Sequence, residues 1–327
     1  MKKIVCLGGG VGTMNLLKGL KKHDFHITVI VSMADDGGSA GRLRRLYNVP
    51  PPGDIVSCLA TLSSDESYSK FLTYRFPGDR YGKDHELHGQ KMGNLMMIAA
   101  QNTTGSFKKG IELLKKIFNV TADIIPATEE PITLHAETTD GRTITSEEKI
   151  DLGKYDEPRV LNKIFLEPKD PKVSDDALKA LDEADCIIAG PGDLYTNILP
   201  VLVVPEIAQK LSKLETKKIF IVNVANKPFE TKDYTLSDFI EAVKRHLNAF
   251  PFDIVITNNN HEIKMPSQYH YTYVKIDEPA RNASASVAGG KIKGEKNFVL
   301  VENDLVDASF PLYHDPEKLT ATIVNNL

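Results

Sequence analysis

Apolar runs alternate with glycine-rich or polar breaks from the first residues onward. The run "KIVCL" predicts a short buried strand, closed by Gly8-Gly9-Gly10-Val11-Gly12. Helical spacing follows in "TMNLLKGLKKH", and the β-branched run "HITVIVSM" predicts a second strand. Strand, glycine loop, helix and strand in that order begin a parallel α/β sheet. The same alternation returns late in the chain. "DCIIAGPGDLYTNILPVLVVPEIAQKL" reads as strand, glycine turn and helix, and "KKIFIVNVAN", "SDFIEAVKRHL" and "FDIVITNNN" continue it. Asp315 and Pro316 predict the start of a last helix, as N-cap and first-turn residue.

The middle of the chain has a different texture. Pro50-Pro51-Pro52 is stiff, and Asp54 after Gly53 is placed to cap a helix over "DIVSCLATLS". Helical patterns continue in "DESYSKFLTYRF", "MGNLMMIAAQN" and "SFKKGIELLKKIF", with a polar, glycine-punctuated loop over 77–90. Beyond Ile124 the residues alternate, and Asp140-Gly141 between threonine-rich arms predicts a hairpin. "VLNKIFLEP" then predicts a strand and "SDDALKALDEA" a capped helix. The expected fold is therefore α/β: a Rossmann-like three-layer core with a mostly parallel sheet and an inserted α+β subdomain. The core takes residues 1–50 and 175–327 of a single domain, and the insertion takes 51–174.

Composition narrows the function classes. At 327 residues, 41% hydrophobic and 26% charged, the chain is a globular protein with ample core. A net charge of −4 argues against a broad nucleic-acid surface, which needs clustered Lys and Arg. Cys6, Cys58 and Cys186 are far apart, and Cys6 and Cys186 sit in apolar runs; nothing asks for a disulfide, and a cytoplasmic location fits. The basic start "MKKIVCLGGG" is too short in its apolar run for a signal peptide, and no stretch predicts a membrane span.

Three loops follow predicted strands and so belong at the carboxyl edge of the sheet, where open α/β sheets bind ligands. The first, Gly8–Thr13, has the glycines of a phosphate loop, but Thr13 stands where the dinucleotide fingerprint requires glycine. The second, "MADDGGSAGRLRR", offers Asp35 and Asp36 for Mg²⁺ or sugar hydroxyls. Gly37, Gly38 and Gly41 offer an anion nest there, and Arg42 and Arg44 positive charge. Ion pairing within a solvated loop would explain the same residues structurally. The third, "GPGDLYTN", supplies Asp193, Thr196 and Asn197 as caps or ligand contacts and Tyr195 to pack on a sugar or base. Asn94 either caps its helix or faces a ligand. His85, Glu86 and His88 allow zinc in principle, but lack matched partners. No nucleophile elbow and no P-loop Lys-Ser/Thr signature occurs.

In order along the chain, these motifs resemble the CofD-like proteins, in particular the branch of gluconeogenesis factors. The resemblance runs through GGGVGTMNLLKGLKK, ITVIVSMADDGGSAGRLR, PPPGD, GNLMMIAA, FNVTADIIPAT, GPGDLYTNILPVLVVPEIA and NKPFETKDYTLSDFI to FPLYHDPEKLTATI. It implies ligand contacts at Gly9, Gly10, Thr13, Asp35, Asp36, Ser39, Arg42, Asn94, Gly192, Tyr195 and Thr196. The branch resemblance implies a regulatory protein that binds UDP-sugars and supports growth on gluconeogenic carbon and normal cell shape. The wider family implies the alternative, a Mg²⁺-dependent transfer of a phospholactyl group from a nucleotide-diphosphate donor, with Asp35 and Asp36 at the metal. Three departures from the family pattern stand out. Gln90 replaces a histidine, Asp193 and Asn197 replace small hydroxyl residues, and Lys227-Pro228-Phe229 interrupts a T-Q-x-G-E-T pattern.

The expected ligand is thus a nucleotide diphosphate, bound with no required cofactor if the chain is a regulator and with Mg²⁺ if it is a transferase. An oxidoreductase using NAD is the third reading, weakened by Thr13. A homodimer is the starting expectation for the assembly.

Overall fold

The structure, a computed structural model, describes residues 1–80, 87–153, 160–284 and 298–327. Strand β1 (Lys2–Gly8) leads into α1 (Gly10–Leu20), β2 (Phe25–Val31) and α2 (Gly38–Tyr47). Four helices follow: α3 (Gly53–Leu62), α4 (Glu66–Thr73), α5 (Met92–Thr104) and α6 (Phe107–Ile117). Next come β3 (Asp123–Pro126), β4 (Thr133–Thr138), β5 (Thr143–Thr145), α7 (Glu147–Asp151) and β6 (Leu161–Glu167). The later core holds α8 (Asp175–Asp182), β7 (Cys186–Ala189), α9 (Leu199–Leu202), α10 (Pro205–Lys213) and β8 (Lys217–Ile221). The chain continues through β9 (Ala225–Asn226), α11 (Leu236–Leu247), β10 (Ile254–Asn258) and β11 (Thr272–Tyr273). It ends with α12 (Glu278–Ala283), β12 (Val299–Asn303) and α13 (Pro316–Val324).

Seven strands form one sheet in the order β12-β10-β8-β7-β1-β2-β3, and every pair in it is parallel. Its inner strands are near-continuous apolar runs because helices cover both faces of such a sheet. Ile4 to Leu7, Val29 to Val31, Ile187 to Ala189 and Val255 to Ile256 are all buried. From β1 the order runs outward through β2 to β3 on one side, and through β7, β8 and β10 to β12 on the other. That is the doubly wound arrangement, and its reversal lies between β1 and β7. All three cysteines are buried and free, with Cys6 on β1 and Cys186 on its neighbour β7.

Residues 51–174 are shared between two structures rather than forming one separate unit. Strand β3 pairs with β2, from Thr28 opposite Asp123 to Val31 opposite Pro126, so it extends the central sheet. Only β5-β4-β6, an antiparallel sheet carrying the expected hairpin, stands apart from it. Ile124 is buried under the same core as β1 and β2, which is why the chain returns to the sheet there.

The last helix is capped as its sequence predicts: Asp315 accepts the Glu317 and Lys318 amides at 2.9 and 3.0 Å. It lies close against α1. A methyl group at Gly19 would overlap Thr320 Oγ1 and the Pro316 carbonyl. Substitution Gly19→Ala is therefore expected to cost about 1–3 kcal/mol through overpacking. Urea denaturation checks it, and an unchanged midpoint would refute the close α1–α13 contact.

Candidate functional site

The reversal of strand order opens a crevice between the carboxyl ends of β1 and β7. The loops leaving these strands are stitched together: Thr13 Oγ1 donates to the Pro191 carbonyl at 3.2 Å. The Gly192 amide donates to Asn223 Oδ1 at 3.0 Å. Gly10 adopts a φ of +69°, and a side chain at Gly9 would overlap Asp54 Oδ2. The glycine loop thus lets an acidic side chain from α3 approach the backbone, and the Gly10 amide donates to that carboxylate.

A cleft of about 300 Å³ lies over these loops. Four helices turn their N termini toward it. Gly10 and Val11 come from α1, Ser39 and Ala40 from α2, Gly53 and Asp54 from α3, and Asn94 from α5. Unpaired amides and the helix dipoles make such a convergence attractive to an anion. Arg75, Arg80 and Lys91 add positive charge to the lining, and Asp35, Glu147, Glu148, Asp151 and Asp193 add negative charge. Lys91 Nζ donates to Ser57 Oγ at 3.1 Å. Asn94 is 1% exposed, and its Oδ1 has no hydrogen-bond partner within the protein.

Of the residues expected at the ligand, Gly10, Asp35, Ser39, Asn94 and Thr196 line this cleft, and Gly192 lines a smaller chamber beside it. Gly9 and Thr13 shape the loops instead. Three expectations are corrected. Tyr195 cannot pack on a sugar or base: it is fully buried, with its hydroxyl 2.8 Å from that of Tyr234. The chain enters a short π-helix (Leu194–Ile198) there, which turns the ring into the core. Asp36 faces away from the cleft, since its Oδ1 accepts the Glu148 amide at 3.0 Å and the Ser146 hydroxyl at 3.2 Å. Arg42 reaches the His88 carbonyl and does not line the cleft, while Arg44 binds the Ile132 and Asp35 carbonyls.

The glycine nest is occupied by the protein itself. The Gly37 amide donates to Asp35 Oδ1 at 2.9 Å, and the Gly38 amide to Glu148 Oε1 at 3.4 Å. Asp54 is no cap; it is the second residue of α3, and its carboxylate turns into the cleft beside Asp35. Asp35 and Asp54 thus both present carboxylates to the cleft. Burial, and then the charge of Asp54, push Asp35 up to about 7. Burial likewise raises Asp54, against the pull of the Gly10 amide and Lys91. Asp35 and Asp54 both line the cleft half-buried, and Lys91 offsets part of their negative charge. Glu147 from α7 joins them, pushed up to about 10 by burial and by Asp35.

The second chamber, of about 120 Å³, shares Val11, Asp193 and Asn197 with the cleft. Tyr271, Tyr313 and Asn223 line it, giving aromatic and amide surface of the kind a nucleobase or sugar needs. Between the two, Lys227 Nζ contacts Asp193 at 2.7 Å and also pairs with Asp151. Sequence reasoning did not place Asp54, Lys91, Glu147 and Lys227 at the site; Asp54, in the PPPGD motif, and Lys227, a departure from the family pattern, carried a signal. His85 and Glu86 lie outside the described residues, and His88 is exposed. A separate groove of about 260 Å³ crosses the other half of β1–β3, where its charges pair among themselves, as in Lys3–Glu183 and His26–Asp123.

A family model described as 2-phospho-L-lactate transferase CofD matches residues 4–292. The chain belongs to the CofD family. It is 35% identical to the gluconeogenesis factor of Bacillus subtilis (strain 168), over 99% of this chain and 98% of that protein. It is 38% identical to the gluconeogenesis factor of Halalkalibacterium halodurans, over 79% and 77%. A crystal structure of a UPF0052-family protein from Bacillus halodurans superposes with a TM-score of 0.86 at 31% identity, covering 99% of this chain and 100% of that one. No described helix is long and apolar enough to cross a membrane.

Within the CofD family, the departure at Asp193 raises the problem of a carboxylate beside an anion site. The structure answers with Lys227, itself a departure, whose ammonium pairs with Asp193. Gln90 is fully buried, and neither side-chain polar atom has a protein partner.

The raised Asp35 carries a stability consequence of definite sign. Its folded-state value lies above the ordinary 3.8, so its contribution is complete below that value and is lost as pH rises through about 7. Asp35→Asn keeps the acceptor for Gly37 and removes the charge. In metal-free buffer at pH 8 it is expected to be about 1–3 kcal/mol more stable than the parent. The difference should open between pH 4 and 7 and level off above. Thermal melts across that range check it, and a variant less stable at pH 8 would contradict the buried-charge account.

Proposed function

We propose that this chain binds a nucleoside-diphosphate sugar across the crevice and acts as a regulatory protein of the gluconeogenesis-factor kind. The convergence of four helix N termini on one cleft carries the reading. A diphosphate there would meet the positive ends of these helices and the Asn94 side chain, with Arg75, Arg80 and Lys91 balancing its charge. The adjoining chamber, reached past Val11 and Asn197, would take the nucleoside or sugar between Tyr271 and Tyr313. The relatives named gluconeogenesis factors support the regulatory role. UDP-N-acetylglucosamine is the ligand to try first.

Asp35 and Asp54 keep a second reading open, transfer of a phospholactyl-type group from a nucleotide-diphosphate donor, in line with the matching family's description. A divalent cation held by these two carboxylates would supply Lewis acidity toward a diphosphate. Arg75, Arg80 and Lys91 would steady developing phosphate charge.

Calorimetry on metal-stripped protein with UDP-N-acetylglucosamine, GDP and NAD, each with and without Mg²⁺, separates these readings. Tight UDP-sugar binding indifferent to metal is the expected result. Guanine preference that needs Mg²⁺ would favour the transferase, and NAD preference would sink both. Asn94→Ala is expected to weaken ligand binding about tenfold, roughly 1.4 kcal/mol, through loss of a buried polar contact. An unchanged Kd would remove Asn94 from the site.

A further inference from the structure

Asp151, Asp193 and Glu230 arrive from three separate segments, α7, the loop after β7 and the turn after β9. One carboxylate oxygen from each lies within 4.8 Å of the others. Such a triangle has the donor chemistry of a divalent-cation site. It already holds a cation. Lys227 Nζ pairs with Asp151, lies 2.7 Å from Asp193 and 3.7 Å from Glu230.

The Glu230 carboxylate is also held by groups other than Lys227. Glu230 is 3% exposed and accepts the Tyr195 amide at 3.1 Å and the Thr196 hydroxyl at 2.7 Å. Lys227 has its backbone fixed as well, since its amide donates to Thr231 Oγ1 at 3.0 Å. The ammonium is thus delivered by a short, braced turn and not by a free surface arm. Burial alone would lower its basicity, but Asp193, Glu230 and Asp151 outweigh burial and keep it charged. Its position matters because Asp151 and Asp193 line the cleft, whereas Lys227 and Asp193 line the second chamber.

We propose that Lys227 is the built-in counter-ion of the passage between the two chambers. It fills with its own ammonium the place where a metal ion would otherwise be needed to bring an anionic ligand past three carboxylates. The proposal rests on the reading that one anionic ligand spans both chambers. Two consequences follow for the molecule. Any divalent cation goes to Asp35 and Asp54, never to this triangle, and removing the ammonium turns the triangle into a metal site.

The test counts Mn²⁺ and needs no nucleotide. Mn²⁺ stoichiometry is measured by calorimetry on the parent, Lys227→Met, Lys227→Arg, Glu230→Gln and the Lys227→Met/Glu230→Gln pair. Lys227→Met is expected to bind one Mn²⁺ more than the parent, and the double variant to lose it again. Lys227→Arg and Glu230→Gln should match the parent. No gain in Lys227→Met overturns the proposal, and so does a loss of one Mn²⁺ in Glu230→Gln. That second comparison decides the matter even if Lys227→Met does not fold. In a second arm, UDP-N-acetylglucosamine should bind Lys227→Met at least tenfold more weakly in chelator and regain most of that affinity with Mn²⁺. If the parent itself ignores this nucleotide, the functional reading fails, while the Mn²⁺ count still judges Lys227.

Discussion

Everything about the site depends on the pairing of β1 with β2 on one edge and β7 on the other. Those parallel ladders fix Gly8 and Ala189 at neighbouring heights, so the two loops that leave them emerge side by side. The chain then winds away in opposite senses on the two sides of the gap. The crevice is a topological product of strand order. Side chains only line it.

Electrostatics then sets what the crevice can hold. Four helix N termini and three basic residues favour an anion, while Asp35, Asp54 and Glu147 are buried against one another. The glycine loops would conventionally free their amides for a phosphate. Here several of those amides serve the protein's own carboxylates instead: Gly10 to Asp54, Gly37 to Asp35, Gly38 to Glu148. The cleft is therefore less a bare phosphate cradle than an acidic floor with a positive rim. Raised pKa values on Asp35 and Glu147 mark the stability given up to keep it so.

The fold was largely legible because its signals are local. Apolar β-branched runs of five to eight residues, each followed by glycine and then helical spacing, leave few alternatives to a parallel α/β sheet. The Asp315-Pro316 start was legible for the same reason. The site was legible only by loop. Placement at strand ends pointed to Gly10, Asp35, Ser39 and Thr196, and Asn94 came from its place at a helix start and the family resemblance, but no one-dimensional pattern says which way a side chain turns. Asp35 and Asp36 are adjacent, yet one carboxylate lines the cleft and the other is taken up by Ser146 and Glu148. Tyr195 followed the same logic, since the π-turn rotates it into the core. Within 51–174, β3 was not legible as part of the central sheet: it is four residues long, too short for its pairing with β2 to be read from pattern.

Asp193 and Lys227 show why departures from a family pattern need the structure before they are interpreted. Taken alone, Asp193 places a negative charge at a wall expected to face phosphate, and Lys227 is one more cation on a turn. They lie 34 positions apart in sequence, and their charges meet at 2.7 Å. A carboxylate introduced beside a ligand is tolerable only if its charge is balanced nearby, because the desolvation cost falls on whichever ion is left unpaired. The two departures are thus one change, physically, and they leave the wall near the passage charge-balanced but more strongly polarised. A ligand rich in hydroxyl groups gains from such a wall, because fixed donors and acceptors of both signs are presented together. An anion passing this wall meets the Lys227 ammonium together with the carboxylate it offsets.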